Sequence, residues 1–202
     1  MSVKKTNVRQ LVTLSLLSAV LLIMSFTPLG YLNVGPLAIS LNMIPVAIGA
    51  IALGPVGGAV LGGVFGITSF LQCIGIGGTS YMGVILFEIS PVLAFLQRFV
   101  PRLLAGMLCG YIFRLCAKAL GGGISGFVTG FCAALLNTVL FMGALLLLFG
   151  NTDYMQGLIG GKNILLFVCS FVGVNALVEM LTATAVVGLV SQVLDKAGIL
   201  RR

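Results

Sequence analysis

The chain has 202 residues, of which 59% are apolar and only 7% charged, and its mean hydropathy is +1.22. Soluble domains carry roughly 25% charged residues, so the composition excludes a soluble globular protein. It also excludes a disordered chain, which needs high charge and low hydrophobicity. The net charge of +7 does not indicate a nucleic-acid partner, because the basic residues lie where membrane topology would place them. We therefore predict a helical protein that crosses the lipid bilayer several times.

The absence of histidine excludes histidine-dependent nucleophilic catalysis, HExxH zinc sites and histidine-ligated haem. The five cysteines are widely spaced, without a C-x-x-C pair, and are interpreted as small packing residues. An intramembrane enzyme would need a nucleophile with a base or a pair of carboxylates, and the chain has only four acidic residues. We therefore expect no catalytic activity, no metal and no cofactor.

The first third of the chain predicts a helix, a loop and a helical hairpin. An apolar run follows the basic start and meets Thr27-Pro28 without a signal-peptide cleavage box, so we expect a retained membrane helix. The stretch 27–40 contains two prolines and two glycines and predicts a loop. Gly54-Pro55 divides the next apolar run, because proline ends a helix. The helices predicted here are 10–26, 41–53 and 56–71.

The rest of the chain predicts three longer spans and one ambiguous segment. Residues 83–97 follow a glycine-rich loop; they are apolar but contain Glu88 and Pro91, and could be re-entrant or interfacial. Pro101 is interpreted as the start of a helix, because proline is favoured in a first turn. The spans predicted here are 101–119, 124–149 and 164–194. This makes six helices in a single membrane domain over residues 1–202.

The positive-inside rule places both termini in the cytoplasm. With six spans, eight of the eleven basic residues fall on the cytoplasmic side, whereas a seventh span at 83–97 would move five of them outside. The eight residues are Lys4, Lys5, Arg9, Arg114, Lys118, Lys196, Arg201 and Arg202. The charge distribution therefore favours six spans over seven.

Glycines recur every four residues over 54–66, 106–110 and 122–130. Small residues at this spacing let helix backbones approach closely, which is how membrane helices gain contacts in lipid. We interpret these ridges as packing within the chain. Ser15-x-x-x-Ala19 on the first helix is instead the candidate surface for a partner protein, because lipid alone does not require small residues there.

Polar side chains inside the predicted spans need an explanation, because a charge near the bilayer centre costs at least about 2.5–3.5 kcal/mol. They could be structural: a Glu179–Arg102 ion pair, asparagines that bridge helices, and an Arg98 that snorkels to the interface. The functional alternative is one polar cavity, open to the outside, that binds a small polar solute. The residues that would line it are Arg98, Arg102, Asn137, Asn175 and Glu179.

The segment Phe26–Phe70, with its Ile-Pro, Gly-Ala and Leu-Gly-Pro elements and its glycine ridge, resembles the substrate-binding S components of energy-coupling factor (ECF) vitamin importers. The likeness continues at Pro101-Arg102, at Leu136-Asn137-Thr138 and in the last helix with Asn175 and Glu179. Within that family the sequence is most similar to the pantothenate-type S components. The resemblance implies a six-helix fold in the plasma membrane of a prokaryote, with both termini in the cytoplasm.

The resemblance also implies a division of labour between subunits. The ligand site would lie near the outer face, covered by the loop 27–40, with Tyr31 and Asn33 as lid contacts. Ser15 and Ala19, a degenerate form of the family's Ala-x-x-x-Ala motif, would dock the transmembrane T component. Two cytoplasmic ATPases would drive transport, and the chain has no phosphate-binding loop of its own. The protein would then be a substrate-binding subunit and not an enzyme.

The expected ligand is a vitamin. Asn137, Asn175 and Glu179 would bind its hydroxyl or amide groups. If the ligand is an anion such as pantothenate, Arg102 or Arg98 would bind the carboxylate.

Riboflavin or another small metabolite is the alternative ligand. Riboflavin would need an aromatic-tolerant pocket, which Tyr81, Phe87 and Phe95 could supply. A stand-alone secondary transporter and a purely structural membrane partner also stay open, although no inverted repeat is visible in the sequence.

Overall fold

The computed structural model describes residues 8–33, 38–78, 80–161 and 163–200. This part of the chain is predominantly helical, with one antiparallel two-stranded hairpin near its start. In chain order the elements are α1 (Val8–Ser25), β1 (Tyr31–Asn33), β2 (Ala38–Ser40), α2 (Met43–Leu53), α3 (Pro55–Leu71), α4 (Tyr81–Ile89), α5 (Pro91–Leu120), α6 (Gly122–Phe149), α7 (Asp153–Ile159) and α8 (Ile164–Lys196). Within the described residues, five helices are long and apolar enough to cross a membrane: α1, α3, α5, α6 and α8. The chain is an all-α membrane protein.

The predicted count of six spans stays a prediction. The sixth helix, α2, has 11 residues, whereas about 20 are needed to span a bilayer. The cytoplasmic placement of both termini also stays a prediction. Four of the basic residues on which it depends lie outside the described residues: Lys4, Lys5, Arg201 and Arg202.

Gly54 and Pro55 separate α2 from α3 at the predicted place. Gly54 adopts a φ of +81°, a left-handed value that glycine tolerates without steric cost. Pro55 occupies the first turn of α3, where its missing N–H would have no partner within the helix. The two helices therefore follow each other directly, and the predicted helices 41–53 and 56–71 differ from the observed ones only at their ends.

The prediction that a helix begins at Pro101 is wrong, because α5 begins at Pro91 and Pro101 lies in its interior. Ser90 caps α5 by accepting a hydrogen bond of 3.4 Å from the amide of Leu93, so the Ser-Pro pair is the stronger start signal. Proline is tolerated inside a membrane helix when neighbouring groups compensate for the freed carbonyl. The ambiguous segment 83–97 is divided between α4 and α5.

The glycine ridge of α3 packs directly against α5. A methyl group at Gly58 would overlap the carbonyl oxygen of Gly106, and one at Gly62 would overlap the carbonyl oxygen of Arg102. The glycines of 122–130 pack in the same way against α8. Such close approach of backbones supplies the van der Waals contacts that hold membrane helices together. The interpretation of these ridges as packing within the chain is confirmed.

Buried apolar side chains form two clusters. The first joins α2 to the middle of α3 and α5, around Val46, Leu61 and Phe65. The second joins α4 to the later half of α6, to α7 and to the first half of α8, around Leu86 and Leu145. The functional site described next lies where these two clusters meet, since its lining includes residues that pack against each.

Candidate functional site

A cavity of about 480 Å³ lies between the hairpin, the segments that follow α1 and α3, and helices α4, α5, α6 and α8. Residues that are far apart in the sequence line it together. They include seven of the eight side chains predicted to bind ligand: Tyr31, Tyr81, Arg98, Arg102, Asn137, Asn175 and Glu179. The structure therefore brings the polar side chains that interrupt several apolar helices together at one cavity.

Arg102 is buried in the cavity wall, with 4% of its surface exposed. Its Nη1 donates a hydrogen bond of 2.8 Å to the carbonyl oxygen of Arg98. Its guanidinium carbon lies 4.5 Å from the ring centroid of Phe65 and 4.9 Å from that of Phe141, and ring faces attract cations. In the part of the chain that the structure describes, Nε has no hydrogen-bond partner. Two aromatic rings thus hold a cation that retains donors for a ligand.

Arg98 lies one turn before Arg102, on the same face of α5. Its Nη1 donates to Ser69 Oγ at 3.4 Å and its Nη2 donates to Ser80 Oγ at 3.2 Å. Its guanidinium carbon lies 5.2 Å from the ring centroid of Phe141. The expectation that Arg98 snorkels to the interface is wrong, because its side chain is buried among these groups. The α5 wall of the cavity therefore carries two positive charges that share one aromatic ring.

Glu179 of α8 is buried and fixes the hairpin. Its Oε1 accepts a hydrogen bond of 2.6 Å from the backbone amide of Ser40, at the end of β2. Among the described residues, no ion pair joins Glu179 to Arg102, so the structural alternative of a paired Glu179–Arg102 is not what the fold uses. The carboxylate instead ties the segment 27–40 to the cavity wall.

Several other polar atoms at the cavity have no hydrogen-bond partner among the described residues. They are Oδ1 of Asn137 and the hydroxyl oxygens of Thr27, Tyr31 and Ser40. Asn175 also lines the cavity. A buried polar group that stays unsatisfied costs roughly 1–3 kcal/mol. This wall is therefore suited to a ligand that carries hydroxyl or amide groups.

Tyr81 and Asn33 complete the set of residues predicted to bind ligand. Tyr81 lines the cavity but 85% of its surface is exposed. Asn33 ends β1, and its side chain lies outside the described part of the chain. Of the three aromatic residues predicted to favour riboflavin, Tyr81 lines the cavity, whereas Phe87 and Phe95 do not. Their ring centroids lie 5.9 and 5.2 Å from that of Phe70, in a separate aromatic group.

Sequence reasoning missed Phe141, Ser80 and the backbone amide of Ser40. Phe141 follows Asn137 by one helical turn, so the spacing of α6 could have identified it. Ser80 caps the helix α4, and the start of that helix was not predicted. The hydrogen bond from Ser40 to Glu179 joins positions 139 residues apart, and no local pattern indicates such a contact.

The two residues predicted to dock a partner lie on α1. Both Ser15 and Ala19 are exposed. Within this helix the buried residues are Leu21 and Ser25, both near its C-terminal end. Leu14 and Leu17 pack against the first apolar cluster, whereas the face of α1 that contains Ser15 and Ala19 is not covered by the described chain.

The chain is similar to known transport proteins over most of its length. The model of the family described as the ECF transporter, substrate-specific component, matches residues 9–191. The chain is 26% identical to the pantothenic acid transporter of Lactococcus lactis subsp. cremoris over 96% of its own length and 97% of the relative. It is 30% identical to the pantothenate transporter of Leuconostoc mesenteroides subsp. mesenteroides, over 98% and 99% of the two chains.

Proposed function

Since the chain belongs to the family of substrate-specific components of ECF transporters, we propose that it binds pantothenate for an ATP-driven importer in a bacterial plasma membrane. The observation that carries this proposal is the pair of buried arginines, Arg98 and Arg102, at a cavity whose other polar groups are amides, hydroxyls and the one carboxylate of Glu179. Two relatives that match nearly the whole chain carry pantothenate in their names.

The groups of pantothenate match the groups of the cavity. The molecule has a carboxylate at one end, an amide in its middle and hydroxyl groups at the other end. Arg102 and Arg98 bind the carboxylate through charge-assisted hydrogen bonds. Asn137 and Asn175 bind the amide and hydroxyl groups, while Tyr31 contributes its phenol from the lid.

The charge of the cavity favours an anion over a neutral ligand. Its lining contains two arginines and one glutamate, which leaves one uncompensated positive charge. A single carboxylate balances that charge in a site where screening by water is weak. Neutral riboflavin would leave it uncompensated, and two of the three aromatic residues predicted to favour riboflavin, Phe87 and Phe95, lie outside the cavity.

The hairpin acts as the lid of the site. Glu179 holds the lid through the amide of Ser40, which leaves the hydroxyl of that serine at the cavity. Asn33 is proposed as a further lid contact from the sequence alone.

Binding is tested by calorimetric titration of the purified chain with pantothenate, with riboflavin in a parallel run. We expect pantothenate to bind and riboflavin not to bind.

Asn137→Ala should weaken pantothenate binding by about three- to thirtyfold, because one hydrogen bond to the ligand is lost. The matched control is Asn151→Ala, at an exposed position outside the cavity. Riboflavin binding alone would keep the family and overturn the ligand, whereas pantothenate uptake by the chain without any ATPase would favour a secondary transporter.

The exposed face of α1 that contains Ser15 and Ala19 is the proposed docking surface for the T component. Two cytoplasmic ATPases would supply the energy, so the chain itself is no enzyme.

Ser15→Leu and Ala19→Leu should lower ATP-driven uptake by the full complex, because bulky side chains prevent close helix approach. Binding of pantothenate to the chain alone should not change. Ala185→Leu, an exposed small position on α8, is the control; equal losses of uptake in all three variants would contradict this docking surface.

A further inference from the structure

The two arginines of the cavity are held by different parts of the fold. Arg102 is fixed by its own helix and by the ring of Phe65. Arg98 is fixed from outside α5, because its terminal nitrogens donate to Ser69 at the end of α3 and to Ser80 before α4. The position of this second guanidinium therefore depends on how α4 begins.

Ser80 performs two tasks with one oxygen. Its Oγ accepts a hydrogen bond of 3.2 Å from the amide of Gly83, which caps the first turn of α4. The same Oγ accepts the hydrogen bond of 3.2 Å from Nη2 of Arg98. The start of α4 and the arginine thus share a single acceptor.

Gly83 leaves the space that the guanidinium occupies. A methyl group at this position would lie 3.0 Å from Nη2 of Arg98 and 2.7 Å from the sulfur of Cys73. Both separations are shorter than ordinary van der Waals contact. Any larger residue at position 83 must therefore displace the guanidinium, the sulfur or the helix itself.

We propose that Ser80 and Gly83 are positioning residues that hold Arg98 as the second cation of the anion site, and that they thereby make the site selective for a carboxylate over a neutral group. This inference rests on the proposed function. The two guanidinium carbons lie 5.2 and 4.9 Å from the centroid of the same ring, that of Phe141. Glu179 balances one of the two positive charges of the cavity, so a neutral ligand leaves the other uncompensated in a buried site, which costs binding free energy relative to an anion.

The test compares pantothenate with pantothenol, in which a hydroxymethyl group replaces the carboxylate. The measured quantity is the ratio of the two dissociation constants, by calorimetry on the purified full chain. Ser80→Asp keeps a good capping residue for α4 but places a carboxylate beside Arg98. We expect it to lower the preference for pantothenate by about tenfold or more, because the introduced charge replaces the ligand's own.

Three further variants separate an effect on the position of Arg98 from an effect on folding. Ser80→Thr keeps the hydroxyl and should retain the preference of the parent protein. Gly83→Ala should lower the preference, because the added methyl group lies 3.0 Å from Nη2 of Arg98. Gly143→Ala is the control, since a methyl group there meets no atom within 4 Å.

The outcomes distinguish this inference from the proposed function. If the parent protein binds neither compound, the proposed function itself fails. If the parent prefers pantothenate and Ser80→Asp keeps that preference, the positioning role is overturned and the proposed function stands. If Gly83→Ala does not fold, Ser80→Asp still tests the positioning role, because it adds no atom at the crowded position 83.

Discussion

Replacement of Arg102 with methionine is expected to weaken pantothenate binding by about a hundredfold or more, while the unliganded protein keeps its thermal stability. Truncating one partner of a buried charged hydrogen bond typically costs about 2–5 kcal/mol, and each 1.4 kcal/mol corresponds to about tenfold in affinity. The guanidinium of Arg102 lies against the rings of Phe65 and Phe141. A ligand carboxylate at this guanidinium would therefore be well shielded from water.

The unliganded stability follows from the same surroundings. Among the described residues, no carboxylate forms an ion pair with Arg102, so methionine removes a buried charge without breaking an ion pair, and the carbonyl oxygen of Arg98 loses one side-chain donor. Exchanging a buried charge for an apolar side chain of similar volume is often neutral or stabilising. Arg102→Met is therefore expected to weaken ligand binding without destabilising the unliganded fold.

Two measurements check this expectation on the detergent-solubilised chain: calorimetric titration with pantothenate, and thermal unfolding with and without the ligand. Arg102→Lys should show an intermediate loss, because lysine keeps the charge but not the planar fork of donors. The control is Lys118→Met, an exposed basic position in the last turn of the same helix. Unchanged affinity in Arg102→Met would remove this arginine from the site.

Alanine at Gly58 is expected to lower the free energy of unfolding by about 3 kcal/mol and to weaken ligand binding as well. The added methyl group overlaps the carbonyl oxygen of Gly106 and lies 2.8 Å from Cβ of Ala50. Overpacking of a tight core costs typically 1–3 kcal/mol and occasionally more, and a backbone carbonyl cannot rotate away as a side chain does. Since α5 carries both arginines of the cavity, moving it away from α3 also disturbs the site.

The measurement is thermal unfolding followed by circular dichroism, together with the same titration. Gly143→Ala is the control, because it replaces a helical glycine where a methyl group meets nothing within 4 Å. This control should be unchanged or slightly more stable, since alanine is the better helix former. If Gly58→Ala and Gly143→Ala unfold at the same temperature, the ridge of α3 does not hold α5 as described.

Much of the cavity was predictable from the sequence, because polar groups in apolar helices are expensive and therefore informative. Arg102, Asn137 and Glu179 each interrupt an apolar stretch, and the structure brings all three to one cavity. The break at Gly54-Pro55 was predictable for a similarly local reason. Both signals depend on residue type and on the span around it, and neither requires knowledge of the neighbouring helices.

The remainder depended on contacts between distant segments. Pro101 gave a start signal that the fold does not use, because Ser90 and Pro91 provide a better one earlier in the chain. The burial of Arg98 depends on Ser80, whose capping role becomes visible only when α4 is recognised as a helix. Contacts between segments that are far apart in the chain leave no periodic pattern in the sequence, so they could not be predicted from it.

The contact between Glu179 and the hairpin separates two roles of residue 40. The hairpin is anchored to α8 through the main-chain N–H of this residue, which every amino acid except proline possesses. The side chain of the same residue lines the cavity. Anchoring of the hairpin and lining of the cavity are therefore assigned to different atoms of one residue. Substitutions at position 40 other than proline can change the chemistry of the cavity wall while the hydrogen bond that anchors the hairpin is kept.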